Sequence, residues 1–168
     1  MLPKILKNFA VFVDGRGYAG KVEEITLPKL TIKTEEYRAG GMDVPIAMDM
    51  GMEKLETDMT FAEYDAEIFK LFGLISGNAV ALTLRGALHG ADQTDAIPVI
   101  LHLRGTVREL DFGAWKAAEK TSLKMTMDLR YYKLVYSSVD TIEIDAENMV
   151  RKINGVDQLT SFRQALGL

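Results

Sequence analysis

The sequence predicts a mainly β protein, one antiparallel β domain with a helix packed on it. Three observations carry this. Apolar and polar residues alternate with a period of two over much of the chain, the mark of half-buried strands with one wet face. Stretches with helical spacing are few and short. Glycine and proline are spread thinly, with no repeat and no linker, so residues 1–168 read as a single domain. At 168 residues, 48% apolar and 26% charged, the chain can bury a real core.

In chain order, residues 9–13 and the chain from Tyr18 read as a hairpin around the turn Asp14-Gly15-Arg16-Gly17. Residues 27–42 read as a strand ending at a hinge, Gly40-Gly41. Leu55, Thr57, Met59 and Phe61 then face one way, and Lys54, Glu56, Asp58 and Thr60 the other. Residues 64–72 are the best helix candidate, with Ile68, Leu71 and Phe72 on one face and Gly73 as a stop. Residues 79–88 and 97–110 pair as a second hairpin across the polar loop 89–95, and 112–120 read as a short helix. In the long strand 121–136, Lys124, Thr126, Asp128 and Arg130 alternate with apolar positions. That phase slips from odd to even near Tyr131-Tyr132, which predicts a β-bulge. Thr141 to Asp145 alternates again, and Leu159, Phe162 and Leu166 stand at helical spacing within 156–166.

Composition removes several function classes. A net charge of −4 without a basic run argues against tight binding of a phosphate backbone. The absence of cysteine excludes disulfides, thiolate metal sites and thiol nucleophiles. The first eight residues lack the apolar core of a secretory signal, and no window reaches the ~18 apolar residues of a membrane span. The expectation is a soluble, unprocessed chain.

Three motifs invite sharper chemistry and do not sustain it. Gly15-Arg16-Gly17-Tyr18-Ala19-Gly20 matches G-x-G-x-x-G after a strand, but Pro28 arrives too soon for the helix that must follow a dinucleotide fingerprint. His89 lies near Asp92 and Asp95, and His102 lies on a polar strand face; solvated side chains in a loop and on a sheet explain both. Ser76, Ser122, Ser137, Ser138 and Ser161 have no nucleophile motif around them. No catalytic residue, metal site or cofactor is expected.

The methionines point elsewhere. Five of nine lie between Met42 and Met59, and Met48, Met50 and Met52 alternate with Ala47, Asp49 and Gly51. Together with Val44, Pro45 and Ile46 they form a tract too apolar for an ordinary loop. Methionine fills cores, but it is also enriched at association surfaces, and this tract reads as an arm that a second copy covers. The stripes Lys54, Glu56, Asp58, Thr60 and Lys124, Thr126, Asp128, Arg130 read either as a solvated sheet face or as the wall of a water-filled lumen.

The segments Phe12-Val13-Asp14-Gly15, Gly20-Lys21-Val22-Glu23, Thr26-Leu27-Pro28-Lys29-Leu30-Thr31 and Glu35-Glu36-Tyr37-Arg38-Ala39-Gly40-Gly41-Met42 resemble the N-terminal third of major tail tube proteins. These occur in contractile-tailed bacteriophages and the related R-type tailocins (pyocins). The short basic start, residues 2–8, is similar too. The resemblance implies an antiparallel β-sandwich or barrel with one flanking helix, related to the ring-forming Hcp family of secretion tubes. It implies rings of six copies stacked into a hollow tube, with four strands per copy lining the channel.

An extended loop or hairpin at about 38–53 would reach a neighbouring subunit, using Arg38, Gly40, Gly41, Met42, Pro45, Ile46, Met48, Met50 and Met52. The C-terminal arm would take about 148–168. Implied partners are the sheath outside, a tape-measure protein inside, the baseplate hub that starts the tube, and DNA in transit without specific binding. Such a tube is assembled in the host bacterial cytoplasm and resides in the virion. The competing readings are an Hcp-like secretion tube and a monomeric ligand-binding β-barrel.

Simple geometry is compatible with a conduit. Six copies of four strands, about 4.8 Å apart and tilted about 40°, close a barrel roughly 48 Å across, with a bore on the order of 38 Å. That is wider than duplex DNA.

Overall fold

The computed structural model describes residues 2–18, 21–75 and 79–168. Strand β1 (Ile5–Val13) turns into β2 (Arg16–Gly17). Then come β3 (Val22–Thr26), a hairpin of β4 (Ile32–Tyr37) and β5 (Ile46–Met52), β6 (Leu55–Phe61) and helix α1 (Ala66–Phe69). The second half holds β7 (Val80–His89), β8 (Ile97–Asp111), β9 (Leu123–Tyr136), β10 (Val139–Asp145), β11 (Val150–Ile153), β12 (Val156–Asp157) and helix α2 (Thr160–Leu166). The fold is mainly β, its named strands pair antiparallel, and the described residues include two short helices.

Two long strands organise the rest because each serves two neighbourhoods. The first half of β9 pairs with β6, from Leu55↔Leu129 to Phe61↔Leu123, and its second half pairs with β10. The first part of β8 pairs with β7 as far as Gly105. The sheet therefore forks. One branch runs β3-β6-β9-β8, and the other runs β12-β11-β10-β9-β8-β7-β1-β2. Apolar faces from both branches share one core, with Val11, Val13, Leu82, Met59, Phe61, Met125, Met127 and the α1 residue Ile68 at 2% exposure or less.

The fork sits where the β8–β9 register slips, between Arg104↔Tyr131 and Gly105↔Leu129, which leaves Arg130 as the extra residue. This is the expected bulge, one residue ahead of Tyr131-Tyr132, and it moves the buried positions of β9 from Leu129 to Tyr132. The backbones meet closely here. A Cβ on Gly105 would stand 2.0 Å from the Asp128 carbonyl oxygen, so no side chain fits.

Turn chemistry fixes the other joints. Asp14 and Gly15 take φ of 50° and 80° between the partners Val13 and Arg16, the two left-handed residues that a tight hairpin turn needs. Ala19 and Gly20 lie outside the described residues. The segment after them is strand β3, so the glycine motif opens no helix. The 64–72 helix is shorter than expected: Asp65 caps it by accepting from the Glu67 N–H, and α1 ends at Phe69, with Gly73 at φ 66° beyond.

Residues 112–120 form no helix, because Gly113 and Ala118 stand at φ 66° and 62°, where a helix needs right-handed residues. The loop is instead held by Tyr64, whose hydroxyl donates to the Phe112 carbonyl (2.6 Å) and accepts from Trp115 Nε1 (2.9 Å). Of the extended loop or hairpin expected at 38–53, much is the second strand of a hairpin. Residues 46–52 pair with β4 and only 38–45 turn, because a tract that alternates can satisfy its backbone against the strand before it. In the C-terminal segment, Val156 and Asp157 belong to a strand, and the helix begins only at Thr160.

Candidate functional site

Two surfaces are unusual for a self-contained subunit. The first is the polar face of the branch β3-β6-β9-β8. Register sets Glu56 opposite Asp128, Asp58 opposite Thr126 and Thr60 opposite Lys124, so the two polar stripes are neighbours on one face. β3 adds Glu24 opposite Thr60, and β8 adds Glu109 opposite Thr126 and Asp111 opposite Lys124. The face thus gathers six carboxylates (Glu24, Glu56, Asp58, Glu109, Asp111, Asp128) around three cations (Lys54, Arg108, Lys124). Arg130 leaves this stripe at the bulge, and its guanidinium donates to Glu147 at 3.1 Å.

Side chains tie the face together across strands. The Thr126 hydroxyl donates to Asp58 (2.7 Å). Lys54 stands 2.8 Å from Asp128 Oδ1, and Arg108 lies 3.1 Å from Glu56 and 3.3 Å from the same Asp128 oxygen. That oxygen is itself shielded from solvent, and the two cations compensate its charge. On the opposite, buried side, Thr57 satisfies its hydroxyl on the Thr26 carbonyl (2.7 Å).

This branch also ends openly. Among the described residues, β3 has only β6 beside it, and β8 beyond Arg108 has only β9. At Val107 the far edge is closed by Phe72 and by the Gly73 N–H.

The second surface is the β4–β5 hairpin, whose strands, among the described residues, pair only with each other. Its two faces differ. Tyr37, Ile46, Met48 and Met50 share one face and are 50%, 51%, 44% and 48% exposed. The other face is held to the body by Asp49, which accepts from Arg151 Nη2 at 2.9 Å. The Gly51 N–H, and then Arg151, keep the Asp49 carboxyl below its ordinary value.

Arg38, Gly40, Gly41 and Pro45 line the exposed turn. Met42 is half-buried there, its carbonyl accepting from Arg38 Nε and its sulfur from the Ala39 N–H. Met52 does not join Met48 and Met50. A register slip at Met50-Gly51, with Gly51 at φ 93°, turns it to the face of Ile32, where it packs on the core.

Beneath the hairpin runs a groove of about 740 Å³ between Met52, Leu55, Ile144, Met149, Leu159 and Phe162. The C-terminal segment forms its far wall. Arg163 pins α2 by pairing with Asp157 (2.6 Å) and donating to the Met149 carbonyl (2.6 Å). The Leu159 N–H, then Arg163, push the Asp157 carboxyl down to about 2. No group of three or more His, Asp or Glu side chains converges as a metal site among the described residues. Sequence reasoning passed over Glu24, Glu109 and Asp111, although their polar alternation with Ile25 and Leu110 carried the same signal; it also passed over Arg108, which the bulge takes out of that alternation.

Comparison with known proteins covers almost the whole chain. Residues 3–167 match the family described as phage tail tube protein FII. The chain is 33% identical over 170 residues to the tail tube protein of Escherichia phage P2, covering 99% of each. It is 32% identical over 156 residues to the major tail tube protein of Serratia phage KSP20, covering 92% of this chain and 90% of that one. In fold it is similar, at a TM-score of 0.63 and 13% identity, to a chain of the cryo-EM sheath–tube complex of an extracellular contractile injection system (PVC) in its extended state. That match covers 80% of this chain and 92% of the other. A chain from the sheath/tube terminator of the same kind of system matches at 0.63 and 14% identity, over 80% and 97%. The chain belongs to the phage tail tube protein FII family: it is a structural tail tube protein, a virion component and not an enzyme.

Proposed function

We propose that copies of this chain close into six-membered rings that stack as the inner tube of a contractile tail. The branch β3-β6-β9-β8 is the channel wall, and the apolar face of the hairpin is the contact to a neighbouring copy. One observation carries the reading: the branch has four antiparallel strands and two open edges. With an even strand number, β3 and β8 run in opposite directions, so β3 of one copy meets β8 of the next antiparallel and the alternation continues around the ring. Closure then removes both edges.

In this arrangement Lys54, Glu56, Asp58, Thr60, Lys124, Thr126 and Asp128 face the lumen. Arg38, Gly40, Gly41, Met42, Pro45, Ile46, Met48 and Met50 belong to the contacting arm. A sheath surrounds the tube, a tape-measure protein occupies it before firing, and a baseplate hub nucleates it. The tube conducts DNA, or breaches a membrane, after the sheath contracts. Electron microscopy of concentrated purified protein should show rings or hollow filaments about 48 Å across at the inner barrel. A species that stays monomeric in sedimentation at high concentration, even with a baseplate nucleus, would refute this.

A further inference from the structure

We propose that Glu56 and Asp128 are masking carboxylates: they hold Lys54 and Arg108 of the same copy so that the channel wall presents no open pair of cations to a passing nucleic acid. This rests on the reading that the face lines the bore. Three strands converge on the cluster. Lys54 directly precedes β6, Glu56 lies on β6, Asp128 on β9 and Arg108 on β8. The register of β8 against β9 slips between Val107 and Glu109, which makes Arg108 the extra residue of a bulge. Bulges re-aim side chains, and this one delivers a guanidinium to both carboxylates, at 3.1 and 3.3 Å. Asp128 is the hub: its side chain is 29% exposed, against 50% for Arg108 and 56% for Lys54.

Folding stability does not account well for such a network, since exposed ion pairs contribute only about 0–1 kcal/mol each. Its effect on local charge is larger. The face carries three more carboxylates than cations. Without Glu56 and Asp128, a lysine and an arginine would stand side by side with their heads open. An arginine fork matches two phosphate oxygens, and an adjacent lysine adds a point charge. The pair would recur in every copy around the ring and along the stack. Affinity for a phosphate backbone compounds with the number of contacts, so a wall of open pairs would brake a duplex that must move. The pairing within each copy keeps the wall from gripping.

The test uses assembled tubes and a short fluorescent DNA duplex at low salt. Tubes of Glu56→Gln/Asp128→Asn should retain the duplex at least about tenfold more tightly than wild type, with the gain vanishing as salt rises. Asp92→Asn/Asp140→Asn makes the same charge change elsewhere, including release of Lys133 from Asp140, and should leave retention at the wild-type level. No gain in the first variant, or an equal gain in the second, overturns the proposal. Should the double variant form no tubes, Glu56→Gln alone is expected to give an intermediate gain. Failure of both to assemble would make these carboxylates assembly contacts, and that too overturns masking. The chain lacks cysteine, so Thr60→Cys tubes report separately on which way the face points. A small maleimide should label them while a polymer-bound maleimide should not; equal labelling by both refutes the wall reading itself.

Discussion

Replacing Met48 with aspartate should abolish tube formation while leaving the subunit folded. Met48 lies on β5, 44% exposed, in an open row with Tyr37, Ile46 and Met50, each about half exposed. Fully burying a side chain of this size contributes roughly 1.5–3 kcal/mol, so covering the exposed half gives about 1 kcal/mol each and about 4 kcal/mol for the row. Aspartate forfeits the Met48 share and brings an unpaired charge into the contact, a cost of about 3 kcal/mol or more. Glu35 stands directly opposite Met48 in the register, so the new carboxylate also meets a like charge.

A loss of about 4 kcal/mol per contact weakens association roughly a thousandfold. The fold should lose no more than the Glu35 repulsion, about 1 kcal/mol at most, because every residue of β4 is exposed and Met48 takes no part in the core. Circular dichroism should match wild type, and the thermal midpoint should fall by no more than about 4 °C. Sedimentation velocity and negative-stain microscopy should show no rings or tubes. Normal tubes would show that this face of the hairpin is not the contact, and an unfolded variant would show that the hairpin braces the subunit.

Gly105→Ala tests the fork. Its Cβ would meet backbone atoms, Asp128 O at 2.0 Å and Leu129 Cα at 2.8 Å, and neither can swing aside as a side-chain end would. Overpacking of this kind costs about 3 kcal/mol, or about 10 °C in thermal midpoint for a chain of this size, and an unchanged midpoint would refute the close approach. Asp157 tests the C-terminal segment through pH. Its carboxyl is lowered to about 2 in the fold, so its stabilising effect is complete above the ordinary carboxylate range and is lost as pH falls toward about 2. Thermal midpoints measured from neutral pH to pH 2 should therefore fall less steeply for Asp157→Asn than for wild type. Parallel curves would show that the contacts with Leu159 and Arg163 do not form.

Much of the fold was legible because it is written in alternation. Leu55, Thr57, Met59 and Phe61 face the core as their period of two requires, and both polar stripes fall on one face. The slip near Tyr131 was visible as a change of phase. What the sequence obscured were joints governed by backbone angles. Apolar and charged residues in 112–120 mimic a helix, yet positive φ at Gly113 and Ala118 rules one out. Asn154 and Gly155, at φ 50° and 80°, make the turn that sends Val156 back beside Ile153 as a strand, a signal present in the Asn-Gly pair. Strict counting along Met48, Met50 and Met52 missed the slip at Gly51, which divides these methionines between two faces. The polar cluster was only half legible. Lys54, Glu56 and Asp128 stood out in their stripes, but a bulge breaks the alternation of Arg108, and only the register brings it to them.

The open edges also bear on why such a subunit need not aggregate before it assembles. β3 is five residues long and carries Glu23 and Glu24, and the outer part of β8 carries Arg108, Glu109 and Asp111. Short, charged edges are poor templates for indiscriminate pairing. A single edge contact, or a single hairpin contact of about 4 kcal/mol, does not reliably exceed the roughly 4–15 kcal/mol lost when two bodies give up independent motion. Each further copy in an arc meets that same loss. The contact that closes the ring does not, because its two partners are already held in one body. If copies close into the proposed ring, closure is therefore favoured over open arcs, and assembly should switch on over a narrow range of concentration.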